Sequence, residues 1–429
     1  MITKTVLARA VALALLGAPL AVHASEAELM QRLDKLAAEL EQVKAELAVS
    51  KRRSDEADVR SQNQTAAAAS NATTDTSGAP QTVLSGYGEV NYNRLRQDSS
   101  QARTDVRRAV IGIEHRFDPK TKLITEFEWE HAVTSATDKG EAAVEQLYIE
   151  RELNAGLRAK AGLFLMPAGL LNTNHEPTAF YGVERNFVET AIIPSTWREA
   201  GLGLSSTLDN GLSWDLGVTT GFDLTKWDAT STDGRQSPLG SIHQEGQLAK
   251  SHDLGVHAAL NWRGMPGLLV GGSIFSGKAS HAAANFAAPG ARVTLWDLHA
   301  RYTPGKWDLS TVYARGAISN TDALNLTFVG IPTPIPSSFD GWYAQAAYQA
   351  WKTNDYTLSP FVRYEQFNTA RSYAALPAGF GVAPGPTEKV TTVGANFRVG
   401  EGVVLKTDYQ KFREDASRDR LNLGMGYAF

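Results

Sequence analysis

Eight charged side chains in this sequence stand where their charge could act on a solute. Arg108, Arg116, Arg363 and Lys406 lie in segments of alternating character, while Glu184, Arg185, Glu189 and Arg198 fall in one long connecting stretch. Residues of one parity in a strand share a face. By that rule Arg301 and Arg398 join the four cations, and Glu89, Glu114, Glu126, Glu128, Glu130, Glu150 and Asp408 share their side. Both signs facing a common space set up a transverse field that orients polar solutes and biases which ions pass.

Covalent chemistry finds less support. The 9 histidines are scattered, with no His-x-x-His or His-x-x-x-His spacing, so neither a metal nor another cofactor is expected. His252 with Asp253, and Asp297 with His299, are near neighbours, but adjacent strand residues point to opposite faces and an i,i+2 pair on a wetted wall is ordinarily a solvated ion pair. No serine sits in a nucleophile elbow. The absence of cysteine excludes a thiol nucleophile and a disulfide scaffold. The chain is therefore not expected to be an enzyme, although a Ser and a His facing the same way near a rim would escape such a reading.

The elements that must carry these charges are strands. In the last segment Leu421, Leu423, Met425, Tyr427 and Phe429 share one face, and Arg420, Asn422, Gly424, Gly426 and Ala428 the other. Leu254 to Trp262 and Val403 to Gln410 split in the same way. Sixteen such segments are predicted: 83–94, 105–117, 122–131, 143–153, 156–165, 199–207, 212–222, 252–262, 268–276, 293–302, 307–316, 340–351, 356–367, 388–398, 403–412 and 419–429. Short Gly-, Pro-, Asn- and Asp-rich turns alternate with long polar loops such as 166–198, 223–251, 317–339 and 368–387. Aromatics gather near strand ends (Trp214, Trp262, Trp296, Tyr302, Trp307, Tyr348, Trp351). An apolar outer belt, a polar inside and aromatic girdles describe a transmembrane β-barrel with both ends on its short-turn, periplasmic side.

What precedes the barrel fits export. Lys4 and Arg9, the apolar Ala10 to Leu20 and the small residues before Ser25 lay out a secretory signal peptide over 1–24. Leu29, Leu33, Leu36, Leu40, Val43 and Leu47 form a heptad seam within 25–50, read either as an oligomerisation stalk or as an amphipathic helix packed elsewhere. Residues 51–82 read as a polar linker and 83–429 as the barrel domain. A formal net charge of −4 argues against a nucleic-acid partner.

The terminal Leu421-Asn422-Leu423-Gly424-Met425-Gly426-Tyr427-Ala428-Phe429 resembles the assembly signal of outer-membrane barrels. Gly341 to Tyr348, Ser359 to Glu365 and Val404 to Tyr409 are similar to the phosphate-selective porins of Gram-negative outer membranes. Gly162-Leu163-Phe164, Pro167 to Leu170 and Val183-Glu184-Arg185 resemble the segment entering that family's third loop. The resemblance implies a homotrimer of sixteen-stranded channels in the outer membrane, surrounded by its lipids, each narrowed by an inward third loop and passing small anions or other hydrophilic solutes. A phosphate trap needs a dense basic lining, yet 83–429 holds 33 Lys and Arg against 36 Asp and Glu, and 166–198 carries Arg185 and Arg198 against Glu176, Glu184 and Glu189. The mixture points to general diffusion with uncertain phosphate selectivity. A channel specific for phosphate, another oxyanion or a sugar, and a non-conducting structural or adhesive barrel, are the alternatives.

Overall fold

Alternation of large apolar with small or polar residues recurs from the first strand to the last, and each strand pairs antiparallel with the next. The computed structural model describes residues 81–429 other than Ala136 and Ala155, together with Lys35. The predicted signal peptide and the heptad run therefore lie outside the described residues, as does the linker apart from Gln81 and Thr82, which begin the first strand.

The first strands are β1 (Gln81–Leu95), β2 (Arg103–Asp118), β3 (Thr121–Glu130), β4 (Glu141–Asn154) and β5 (Leu157–Leu165). After a long loop come β6 (Arg198–Thr207), β7 (Leu212–Thr219), β8 (Gly255–Met265), β9 (Leu268–Lys278), β10 (Arg292–Tyr302) and β11 (Trp307–Ser319). β12 (Ser338–Tyr348) resumes as Trp351–Lys352 after a short break, both pieces pairing with β13 (Tyr356–Ser372). β14 (Glu388–Val399), β15 (Val403–Phe412) and β16 (Arg420–Ala428) complete the sheet. Sixteen strands result, and β1 pairs with β16 to close the barrel. Closure removes the free edge that an open sheet would leave unpaired in lipid. Among the described residues no helix is long and apolar enough to cross a membrane.

The seam shows how the sequence secures closure. Phe429 and Gly86 exchange both backbone hydrogen bonds, at 2.9 and 3.1 Å. On the outer face the Tyr427 ring lies against Gly88, where a Cβ would come within 2.8 Å of its hydroxyl oxygen. Terminal aromatics thus fill space that the outward glycines of β1 leave open.

The lipid-facing set is the one alternation predicts. Leu254, Val256, Leu260 and Trp262 are exposed while His257 and Ala259 between them are buried. At the periplasmic end, Trp351, Tyr356 and Phe397 stack on one another and Trp307 packs on Tyr348, forming a girdle.

The inner face departs from expectation. In the extracellular half of β9–β12 the inward residues are largely apolar, and Phe367, Val390 and Phe412 continue the patch between polar neighbours on β13–β15: Phe275, Val293, Leu295, Val312, Ala314, Ile318, Phe339, Phe367, Val390 and Phe412 are all buried. They pack against Val188, Ile192 and Trp197 of the loop after β5 and Phe222, Leu224, Leu239 and Ile242 of the loop after β7. The barrel therefore holds a hydrophobic core of its own, and the uniformly polar lumen expected from strand parity is confined to the remaining wall. Parity tells in from out, but not whether water or a loop lies inside.

Leu260 lies midway along β8 on the lipid face. Leu260→Arg is expected to destabilise the barrel by about 2–4 kcal/mol in a bilayer, the range for Arg or Lys near the midplane, as read from the denaturant midpoint of reversible folding into liposomes.

Candidate functional site

Residues 166–197, here L3, fold into the barrel. Their neck is cinched by Asn172, whose Nδ2 donates to the Met166 and Trp197 carbonyls at 2.7 and 2.8 Å while its Oδ1 accepts the Trp197 N–H at 2.7 Å. A π-helical turn, Val188–Ile192, presses its apolar side on the inner core. The Glu189 carboxylate binds this turn to the rest of the loop. It accepts from the Leu170 and Leu171 amides (2.6 and 2.7 Å), from Asn186 Nδ2 (2.8 Å) and from the Tyr343 hydroxyl of β12 (3.1 Å). Gly169, at φ +65°, sits against the same carboxylate and leaves no room for a Cβ.

A loop inside a barrel must find partners for its backbone polar groups, because an unpaired buried amide or carbonyl costs about 1–3 kcal/mol. Here inward side chains of β13–β15 supply them. Lys406 Nζ donates to the Gly182 carbonyl at 2.9 Å and lies 3.5 Å from the centre of the Phe180 ring. Asp408 Oδ2 accepts the Val183 N–H at 2.6 Å, and its Oδ1 accepts from Asn422 Nδ2 at 2.6 Å. Glu365 accepts the Phe187 N–H at 2.8 Å and is held by Arg363 Nε at 3.1 Å. Asn396 Nδ2 reaches the Phe180 carbonyl at 3.3 Å, and Arg398 donates to that of Thr178. These contacts form a polar clasp on the backbone of L3.

On β1–β4 the wall is acidic. Arg108 donates to Glu89 at 3.0 Å and to Glu128 at 3.1 Å, with Glu130 at 3.8 Å. L3 thus runs between a carboxylate-rich wall and the clasp. Below it lies a cavity of about 580 Å3, lined by Lys122, Glu150, Arg158, Asp215, Arg263, Arg301, Asp308 and Arg363 from the strands and by Phe180, Tyr181 and Asn186 from L3. Most of these charges are matched locally. Lys122 and Arg158 share Glu150 at 3.6 and 3.9 Å, and Lys160 meets Asp215 at 2.7 Å. Arg301 meets Asp308 at 2.6 Å, with the Tyr181 hydroxyl on the same carboxylate at 3.0 Å. On the extracellular side a second cavity, about 1060 Å3, is formed by Phe187, Arg235, Pro334, Phe367, Tyr373, Glu388 and Arg418 among others.

Of the eight residues singled out in the sequence, Arg363 lines the deeper cavity, and Lys406 holds L3. Arg108 neutralises the acidic wall, and Arg116 is exposed at the periplasmic end of β2. Glu184, Arg185 and Glu189 lie in L3 while Arg198 opens β6, and the four mostly act as braces. Arg185 donates to Ser195 Oγ and Thr196 Oγ1, both at 2.9 Å, and to the His175 carbonyl at 3.2 Å. Arg198 pairs with Glu245 of the loop after β7 at 3.0 Å, and Glu184 accepts from Asn93 at 3.2 Å. Glu189 is the buried brace described above. The structure adds Lys122, Arg158, Asp215 and Asp308, which strand parity on their own segments would have shown, and Arg263, which lies on β8 just past the end of the predicted segment 252–262.

A closed sixteen-stranded barrel with an apolar outer belt, both described ends on the short-turn side and a long loop folded into its lumen defines the outer-membrane porin class. The chain belongs to the family described as phosphate-selective porin O and P, whose model matches residues 80–423. An uncharacterized protein of Aquifex aeolicus (strain VF5) is 27% identical over 342 residues, covering 77% of this chain and 75% of the relative. The fold is shared with OmpF of Salmonella typhi, solved in complex with daunomycin (TM-score 0.56, 15% identity, 82% of this chain and 98% of that one). It is also shared with the outer-membrane channel DcaP of Acinetobacter baumannii (TM-score 0.52, 11% identity, 82% and 99%). A third such structure is an anion-selective porin from Comamonas acidovorans (TM-score 0.51, 11% identity, 82% and 100%). The chain is a channel of the Gram-negative outer membrane for small hydrophilic solutes.

Replacing Lys406 by Met and Asp408 by Asn strips the Gly182 carbonyl and the Val183 amide of their charged partners. The barrel is expected to stay folded while single-channel records gain larger or flickering current levels; a steady wild-type current would show that the clasp does not restrain L3. Near the Arg198–Glu245 pair, burial and then the neighbouring Lys226 and Arg198 lower His243 to about 4. Its neutral form is the one seated in the fold, so its contribution is complete above about pH 6.5 and is lost as pH falls toward 4. Acid-induced current noise should grow over that window and be reduced in His243→Gln.

Proposed function

We propose that this porin is a general diffusion channel with a weak preference for anions rather than a phosphate trap. The observation that carries this reading is the lining of the deeper cavity, where Lys122, Arg158, Arg263, Arg301 and Arg363 face Glu150, Asp215 and Asp308. Five cations against three carboxylates on the lining raise the local concentration of anions, and only weakly, because Arg363 is also held by Glu365 behind the lining. Capture of a phosphate requires donors free to replace its water, and the guanidinium of Arg301 and the ammonium of Lys122 are already spent on carboxylates. The clasp takes Lys406 and Arg398 out of the same pool. The working unit is a homotrimer, which the family resemblance and the heptad run in 25–50 support, delivered to the outer membrane by the signal peptide in 1–24.

The zero-current potential in a planar bilayer under a KCl gradient, with phosphate then added to one side, tests the reading. Weak anion preference, conductance in triplet steps and no block by low phosphate are expected. Arg363→Gln with Arg158→Gln should move the potential toward cation preference. Chloride current abolished by low phosphate would overturn the general-diffusion reading in favour of a specific site, and the absence of any conductance would favour a structural barrel.

A further inference from the structure

Two carboxylates of the acidic wall make no ion pair with Arg108. Arg108 gives its guanidinium to Glu89, Glu128 and Glu130. Glu126 of β3 and Glu145 of β4 converge instead on His175 of L3, with one ligand atom from each lying within 4.8 Å of the others and all three residues buried. The sheet makes room for this. A bulge in β4 opposite Glu126 and Phe127 takes Glu145 out of the register, and it turns inward beside Gln146.

Glu145 is fully buried, and its Oε1 has no hydrogen-bond partner. Its Oε2 lies 3.7 Å from His175 Nε2, close to the spacing of about 3.4 Å between neighbouring ligand atoms in a tetrahedral site with bonds near 2.1 Å. The tautomer of His175 is set for ligation. Its Nδ1 hydrogen-bonds the Asn172 carbonyl at 3.0 Å, so Nδ1 carries the proton and Nε2 presents a lone pair. Gln146 Nε2 orients Glu126 from behind at 2.7 Å. The Tyr87 hydroxyl stands 2.6 Å from Nε2 and 3.1 Å from Glu145 Oε2 and donates its one proton toward that pair of atoms, so an ion bound to Nε2 takes the place of this hydroxyl proton. Glu126 has one amide donor and Glu145 one hydroxyl donor, and among the described residues neither has a Lys or Arg within ion-pair distance; beside a neutral imidazole that leaves buried charge for a cation to offset.

We infer that Glu126, Glu145 and His175 bind one divalent transition-metal ion, for which Zn2+ serves as the probe because it accepts both imidazole and carboxylate ligands, and that the ion staples L3 to the β3–β4 wall. The staple sits on the opposite flank of L3 from the clasp, so its occupancy sets how firmly the loop's first half is held.

Full-length folded barrel, stripped with EDTA, equilibrated with zinc sulfate and desalted, should retain one zinc per chain by elemental mass spectrometry. Glu145→Gln and His175→Gln should lower retention at least tenfold while keeping the heat-modifiable gel mobility of a folded barrel. His252→Gln, on an exposed loop, should leave it unchanged. In bilayers micromolar zinc should quieten the open current and EDTA restore the noise, and neither should act on Glu145→Gln. If one variant fails to fold, Glu126→Gln reads the same ligand set. Folded wild type that retains no zinc would overturn the site, leaving shared protons to neutralise the cluster. Undiminished zinc in folded Glu145→Gln and His175→Gln would place the ion elsewhere and overturn it equally.

Discussion

The backbone of L3 is polar and enclosed, and that constraint shapes the rest of the lumen. A strand in the barrel wall satisfies its amides and carbonyls through its neighbours, whereas a loop folded inside has no ladder to join. Side chains of β13–β15 take that place at Thr178, Phe180, Gly182, Val183 and Phe187. Once those charges are committed to main-chain partners they stop acting as free lining. A family defined by phosphate selectivity thus supplies here an architecture in which much of the basic complement holds the loop.

The other anchor is apolar. Val188, Ile192 and Trp197 close over apolar inward residues of β9–β15 together with the loop after β7, so that part of the lumen is packed as a protein interior. The burial of Val293, Val312 and Ile318 at 0% exposure leaves no room for a water-filled path along that stretch. Clasp on one side and core on the other fix L3 between an extracellular vestibule and the deeper cavity. The arrangement makes the barrel both wall and scaffold: the same strands face lipid with one parity and support a folded insert with the other.

Much of the wall was legible from alternation. The segment 403–412 was predicted with its final bounds, and Lys406 and Asp408 were placed inward, as they are. What they do there was not legible, because their partners are main-chain atoms far away in sequence. Glu145 escaped because the β4 bulge changes its facing, and no periodicity announces a bulge. Arg185, Arg198 and Glu189 lie in or at the end of a loop, where parity has no meaning, and their burial follows from a loop path that only tertiary packing sets. The apolar inner faces of β10 and β11 were equally hidden, since Val293 and Val312 satisfy alternation whether they meet water or Ile192.

Because the chain lacks cysteine, single introduced thiols can map the conducting path without background. Ser310 and Val312 are inward residues two apart on β11; the first lines the deeper cavity and the second lies under the L3 core. The decisive measurement is the effect of a charged, water-soluble thiol reagent on current through Ser310→Cys and Val312→Cys channels. A lumen divided by L3 predicts stepwise block at Ser310→Cys and an unaltered current at Val312→Cys. Equal and rapid block at both positions would contradict it, because water and ions would then reach the face that L3 is held to cover.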